Sequence, residues 1–323
     1  MKGSIILQGI PASGNPLPAI LQAFQAGYLV DPVFAPVTVT GGGHSVEVWV
    51  ATDALRLGEP GDSFRPMVSA MLEQIMADAL GLYLPTAKIM RAAYQARQIA
   101  VEPKTQEANP ALRPGKGFSP DMKDKGAMIR HNEDVDKGAG AAPFVYIPTA
   151  ARLEDQGKNW INDKLLHVNG GSAAAGMAVN HGWFSPSAPS FDAKGVHLWQ
   201  DRGHSSHNSG TDIVLNPGHF DYSQTASDLV YPWIRVDGSN WMDWDAGLRD
   251  PSISQALNDD GPLATSRPYV IGPAAPLPVL PHPGEGGPLA SALVTRLAGI
   301  ALGTLAVFGL LVFAGAVSVP FSR

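Results

Sequence analysis

The chain contains no cysteine, no run of basic residues and only one long uncharged apolar run. Without thiols it cannot form disulfides or use a thiol nucleophile, so any metal must be held by histidine, carboxylate or backbone oxygen. Its 23 basic and 29 acidic residues give a net charge of −6. Because no segment concentrates lysine or arginine, we expect no nucleic acid partner.

The long apolar run is Leu297–Val319, which holds 23 residues without a charge. At about 1.5 Å per residue, a helix of this length spans roughly 34 Å and can cross a bilayer. We therefore predict one transmembrane helix within a C-terminal anchor at 291–323, with the lipid bilayer as a partner. Gly299 and Gly303 form a small-xxx-small pair that predicts a homo-oligomer through this helix. One arginine on each side leaves its orientation in the membrane open.

A proline-rich linker is predicted at 266–290, between the anchor and a soluble domain at 1–265. Seven prolines lie between Pro268 and Pro288, which excludes a helix and favours polyproline-like chain. At about 3.1 Å per residue, such a spacer would hold the domain up to about 65 Å from the bilayer.

The sequence of the soluble part predicts an α+β fold with an antiparallel or mixed sheet, a helical hairpin and long loops. Valine-rich runs separated by three glycines predict a β-hairpin over 36–50. Apolar periodicity predicts helices over 67–80 and 86–99. The polar segment 102–142 is expected to be a loop, and 143–248 reads as short strands joined by long loops.

Histidines are concentrated within this strand-rich region, where five of the nine lie between 181 and 219. His207, Asp212 and His219 are a candidate zinc set, with one position left for a water that zinc would activate for hydrolysis. The surrounding Ser-His-x-x-Gly-x-Asp pattern resembles zinc peptidases that act on cell-wall peptides, although its His to Asp spacing is shorter.

Two other interpretations of the same residues remain open. Ser223, which follows Asp221 and Tyr222, could act as a nucleophile with His207 or His219 as its base. Alternatively, the histidines lie on solvent-exposed loops and bond to neighbouring polar groups.

Several segments together resemble a family of uncharacterised, often exported bacterial proteins. They are HSVEVWVATDALRLGEPGDSFRPM at 44–67, ADALGLYLPTAKIM at 77–90, GMAVNHGWF at 176–184, HFDYSQ at 219–224 and LRDPSISQALNDDGPL at 248–263. No established reaction comes with the family. The resemblance implies a site at Asp221, Tyr222 and Ser223, with His207 or His219 matching an upstream family histidine.

The chain departs from the family pattern at two places. The family reads Asp-Tyr-Ser-His where this chain ends in Gln224, and Gly-His-Lys-Lys-Asp where this chain has Gly157-Lys158-Asn159-Trp160. If those histidines are catalytic in relatives, this chain has lost or relocated the activity.

The sequence thus leaves two functional hypotheses. The first is a membrane-tethered envelope or phage-virion protein whose region 176–245 contacts or hydrolyses a cell-wall substrate, with zinc as the candidate cofactor. The second is a non-enzymatic structural or adhesive head on a proline-rich stalk, whose binding surface comes from tryptophans: Trp183, Trp199, Trp233, Trp241 and Trp244.

Overall fold

A computed structural model of the chain describes residues 1–101, 104, 123–145, 153–154, 158–167, 178–182, 211–214, 217–270 and 276–283. The helices in these ranges are α1 (Gly3–Gly9), α2 (Leu17–Gln25), α3 (Ala70–Leu80), α4 (Ala87–Gln95), α5 (Lys125–Gly138), α6 (Trp244–Arg249) and α7 (Ser254–Leu257). The strands are β1 (Phe34–Gly41), β2 (His44–Ala51), β3 (Leu57–Glu59), β4 (Asp62–Phe64), β5 (Ile99–Ala100), β6 (Leu153–Glu154), β7 (Lys158–Trp160), β8 (Ala178–Gly182), β9 (Thr211–Val214), β10 (Val230–Val236) and β11 (Asn240–Asp243). The predicted α+β class with an antiparallel sheet is confirmed.

Strands β1 and β2 form the predicted hairpin, and their antiparallel register ends with Gly41 opposite His44. The turn is made by Gly42 and Gly43, whose φ angles are 59° and 83°. Both values lie in the left-handed region, which a two-residue hairpin turn matching the strand twist requires. The run of glycines in the sequence therefore has a conformational reason.

This hairpin is half of a four-stranded antiparallel sheet with the order β1-β2-β10-β11. Because alternate residues of a strand point to opposite faces, one face is lined by Val46, Val48, Ile234 and Val236, all buried. Helices α4, α6 and α7 pack on the sheet, and their apolar residues join the valines in one core cluster. The alternate residues of these strands, many of them polar or aromatic, lie on the opposite face.

Helix α3 confirms the prediction over 67–80 except in its first turn. The Ser69 side chain accepts a hydrogen bond from the Leu72 amide and caps the helix, so the helix begins at Ala70. Gly81 ends it with a left-handed φ of 70°. Helix α3 packs against α2.

Helix α4 is shorter than predicted at both ends. Thr86 is its cap, because the side chain accepts from the Ile89 amide, and the helix ends at Gln95. The predicted range continued to Ile99, which instead pairs with Leu153 in the parallel pair of β5 and β6. Helix α4 contacts β1 and β8.

Helix α5 lies where the sequence predicts a loop, and that prediction is wrong for 125–138. The Asp124 carboxylate caps the helix by accepting from the Ala127 amide at 2.7 Å. The helix buries several polar side chains, among them His131, Asn132 and Asp136. Since part of its buried face is polar, its sequence lacks the apolar stripe by which helices are recognised.

A buried quartet of charges fixes α5 to the segment around β3 and β4. Arg65 donates to Asp53 at 2.8 Å and to Asp136 at 2.7 Å, and Arg56 donates to Asp136 at 3.1 Å. Burial alone would raise the pKa of Asp136, but the two guanidinium groups outweigh it and hold the pKa below its ordinary value. All four side chains are almost completely shielded from solvent.

The strand-rich half contains a second, three-stranded antiparallel sheet with the order β7-β8-β9. Its strands are only three to five residues long, as the sequence predicts for this region. Strand β8 is fully buried and lies against α4.

Residues 276–283, which we call the strap, lie on the four-stranded sheet. Leu280 is only 2% exposed and belongs to the main core cluster. The carbonyl oxygen of Leu280 accepts from Trp233 Nε1 at 2.7 Å, and that of Pro281 accepts from the Tyr231 hydroxyl at 2.7 Å. These eight residues, expected to be part of a spacer, therefore belong to the folded head.

Within the ranges that the structure describes, no helix is both long enough and apolar enough to cross a bilayer. The predicted transmembrane run Leu297–Val319, with Gly299 and Gly303, lies outside those ranges.

Candidate functional site

Four of the predicted site residues, His219, Asp221, Tyr222 and Ser223, lie together in the segment between β9 and β10. His207 lies outside the described residues. Asp212 lies on β9, where its backbone is paired with Asn180, but its side chain is not among those described.

The Asp221 carboxylate organises this segment into a tight turn. Its Oδ1 accepts from the Ser223 amide at 2.7 Å and from the Ser223 hydroxyl at 2.5 Å. His219 Nε2 lies 3.6 Å from the other carboxylate oxygen, and the Gln224 side chain accepts from the Asp221 amide at 2.5 Å. The carboxylate thus stands between serine and histidine, whereas a catalytic triad places histidine in the middle.

Tyr222 belongs to the same turn and contacts a histidine that was not predicted as a site residue. The rings of Tyr222 and His131 meet edge to face at 5.3 Å, and both residues are buried. Burial, assisted by the positive charge of Arg65, lowers the pKa of His131 to about 4. The imidazole is therefore neutral at neutral pH.

A buried carboxyl, Glu73 of α3, lies next to Trp160, whose ring meets that of His219 edge to face at 6.4 Å. Its Oε2 accepts from the Trp160 amide at 3.4 Å, and its Oε1 has no hydrogen-bond partner in the described part of the chain. Burial raises the pKa of Glu73 well above its ordinary value, and the negative charge of Asp228 adds to the effect. The fold therefore favours the neutral form of the Glu73 carboxyl.

Asn159 connects β7 to the segment that follows the Asp221 turn. Its amide donates to Asp228 at 3.2 Å, and its oxygen accepts from the Ser227 amide at 3.3 Å. Asp228 has a φ of 52°, an unusual value for a residue other than glycine. Strand β7 is thus joined to β8 by strand pairing and to the segment after the Asp221 turn by Asn159.

Gln224 and Asn159 both make structural hydrogen bonds. Gln224 stabilises the Asp221 turn, and its carbonyl oxygen accepts from the Val68 amide at 2.9 Å. Asn159 anchors Ser227 and Asp228. The described side chains include no group of three His, Asp or Glu residues placed to hold a metal ion, and the proposed zinc set depends on His207 and Asp212, which lie beyond that description.

A second polar feature lies on the face of the four-stranded sheet opposite the valines. Glu47, Arg235 and Trp241 are direct neighbours across β2, β10 and β11. Arg235 donates to Glu47 at 2.7 Å, and its guanidinium carbon lies 5.7 Å from the Trp49 ring and 5.8 Å from the Trp241 ring. We call Glu47, Trp49, Trp233, Arg235 and Trp241 the aromatic face.

The two indoles at its centre are in contact. Trp49 and Trp241 have ring centroids 5.2 Å apart, and both residues are half-buried. Trp241 also stacks on the His282 ring of the strap, with ring centroids 5.1 Å apart and an interplanar angle of 17°. The Arg235 side chain retains 37% of its exposure, so this part of the face is open to solvent.

The tryptophans proposed for a binding surface have different environments. Trp233 and Trp241 lie on the aromatic face, whereas Trp244 is fully buried in the core, and Trp183 and Trp199 lie outside the description. Trp49 was missed, although the strict alternation of β2 places it on the same face as Glu47.

A cleft of about 460 Å³ lies apart from the predicted site residues, and its wall includes Tyr83, Arg249, Ser266 and Arg267. Arg249 pairs with Asp245 at 2.5 Å, and Arg267 donates to Asp78 at 2.9 Å. Because each arginine is already neutralised by a carboxylate, the cleft does not favour an anionic ligand.

Comparison of the chain with protein-family models, with curated proteins and with solved structures gives no match. The resemblance to the exported bacterial family therefore stays a prediction.

Proposed function

We propose that the protein is a binding protein of a bacterial envelope or phage virion, whose head contacts a cell-wall polymer through the aromatic face. The observation that carries this proposal is the Trp49, Trp241 and Arg235 cluster beside the Glu47 carboxylate, at an open part of the sheet. Indole rings pack well against the apolar faces of sugars, while the ion pair offers hydrogen bonds to hydroxyl and amide groups. Tryptophan and arginine are also the residues that dominate binding energy at recognition surfaces.

Hydrolysis is the second candidate. It is supported by the convergence of the Asp221 turn with the buried Glu73 and the neutral His131, since functional sites concentrate groups with shifted pKa values. Against it, the Ser223 hydroxyl is buried and donates to a carboxylate rather than to a base that could activate it. A zinc mechanism would need ligands from His207 and Asp212.

The attachment to a membrane is part of the proposal and is supported by the length and apolar character of Leu297–Val319. In the sequence the strap precedes this run, so the same C-terminal segment would both pack on the head and connect it to the bilayer.

Co-sedimentation of the purified chain with insoluble peptidoglycan tests the proposal. We expect the wild-type chain to pellet with the polymer, and Trp49→Ala or Arg235→Ala to weaken binding by at least about tenfold. Tyr28→Ala is the matched control, because Tyr28 is also a half-buried aromatic but contacts the β3 region instead.

The same co-sedimentation samples distinguish binding from hydrolysis. Release of soluble fragments that Ser223→Ala or His219→Ala abolishes would establish hydrolysis. Equal binding by the wild type and both face variants, or no binding at all, would refute the role of the aromatic face.

A further inference from the structure

The strap occupies recognition groups that a ligand of the aromatic face would need. The indole N–H of Trp233 and the hydroxyl of Tyr231 each donate to a strap carbonyl at 2.7 Å. Burial raises the pKa of Tyr231 to about 12, so its hydroxyl remains a donor at any physiological pH. His282 lies edge on to Trp233 at 4.2 Å and stacks on Trp241.

Trp241 shows why the strap and another ligand exclude each other. Its indole contacts Trp49 and is stacked against His282 of the strap, so the surface that His282 covers is closed to a sugar or peptide while the strap is in place. If the strap leaves, one side of Trp241 and the donors of Trp233 and Tyr231 become available together.

The composition of the strap matches the surface that it covers. Four of its eight residues are proline, and proline-rich segments are typically bound by aromatic grooves whose donors reach the peptide carbonyls. Such segments lose little conformational entropy on binding because they are already extended when free. Along the strap, Leu280 is buried whereas Val279 is 76% exposed.

We propose that the strap is a built-in, displaceable ligand that closes the aromatic face until a competing ligand takes its place. The inference rests on the proposed function only for the identity of that competitor, the cell-wall polymer. The docked strap would lower the apparent affinity of the face in proportion to the fraction of molecules in which it is bound.

The test uses the full chain and two probes, a labelled synthetic peptide with the sequence of residues 276–283 and insoluble peptidoglycan. Leu280→Ser removes the buried anchor of the strap without changing the face. Val279→Ser is the matched control, because the neighbouring side chain is exposed. We expect Leu280→Ser to bind the peptide at least about tenfold more tightly than the wild type and Val279→Ser to bind it as the wild type does.

His282→Ala provides a second way to loosen the strap, in case Leu280→Ser disturbs the core, and should shift peptide affinity in the same direction. Hydrogen exchange at the indole N–H of Trp233, which donates to the Leu280 carbonyl, reports strap release directly. Equal peptide affinity in the wild type and both strap variants, with faster exchange of this N–H in the variants, would overturn the proposal.

The polymer probe separates this inference from the proposed function. Tighter binding of both peptide and polymer to the strap variants supports both. Tighter peptide binding with no polymer binding by any chain refutes the proposed function and leaves the self-docked strap in place. If all the chains bind the polymer and the strap variants bind it no better than the wild type while binding the peptide more tightly, the strap does not gate the polymer and the proposal fails.

Discussion

Glu73 illustrates how a single residue couples the candidate site to pH. Its carboxyl is completely buried beside the Trp160 amide and near Asp228. Burial raises its pKa above the value of the unfolded chain, so the fold favours the neutral form. The stability that the neutral carboxyl contributes is fully present below about pH 4.3 and is lost as the pH rises through the raised pKa.

We predict that Glu73→Gln removes this loss, since glutamine keeps an oxygen for the Trp160 amide and cannot ionise. Relative to the wild type, the variant should gain about 1.4 kcal/mol of unfolding free energy for each pH unit between the unfolded and folded pKa values. Urea unfolding at about pH 4, 6 and 8 measures the difference. Glu133→Gln, at a half-buried position of α5, is the control, and an equal pH dependence in both variants would contradict the prediction.

For individual site residues, the sequence predicts those groupings whose members are close together along the chain. His219, Asp221 and Ser223 were selected together because they lie within five residues, and the structure brings them into one turn. His131 and Glu73 were not selected. Glu73 lies in a mostly apolar helix, where an acidic residue is expected to face solvent, and His131 belongs to a helix whose buried face is partly polar.

Among the elements, the hairpin of β1 and β2 was predicted best, because its signal is a local alternation with glycines at the turn. The structure adds a tertiary reason for one of those glycines. A Cβ on Gly42 would lie 2.2 Å from the backbone oxygen of Ser252, whereas a Cβ on Gly43 meets nothing within 4 Å. The turn is therefore packed on one side and open on the other.

Alanine substitutions at these adjacent glycines should separate backbone conformation from packing. Gly43→Ala is expected to cost about 1 kcal/mol, the penalty for placing alanine in the left-handed region. Gly42→Ala carries the same conformational penalty, and its Cβ also collides with backbone. It should therefore lower the free energy of unfolding by at least about 2 kcal/mol more. Thermal and chemical unfolding of the two variants measure both values, and equal losses would show that the Ser252 contact relaxes freely.

For the whole molecule, the division into a folded head and a C-terminal anchor depends on the run Leu297–Val319. We predict that the full chain floats with liposomes in a density gradient, whereas a chain ending at residue 290 stays at the bottom, because about 20 apolar residues suffice to cross a bilayer. The full chain should also show more helical far-UV circular dichroism than the truncated chain, because the anchor adds a helix of 23 residues. A full chain that stays with the truncated one at the bottom of the gradient would contradict the anchor.

The pairing of β2 with β10 has a consequence for how the protein is made. Roughly 180 residues separate the two strands, so a ribosome adding about 5–20 residues per second needs about 10 to 40 s to deliver β10 after β2 has emerged. During that interval the hairpin exposes an unpaired edge and a row of valines, which are the features that invite pairing with other chains. The nascent chain is therefore most exposed to aggregation before the ribosome has translated beyond β10, and a chaperone that holds the hairpin would be of most use there.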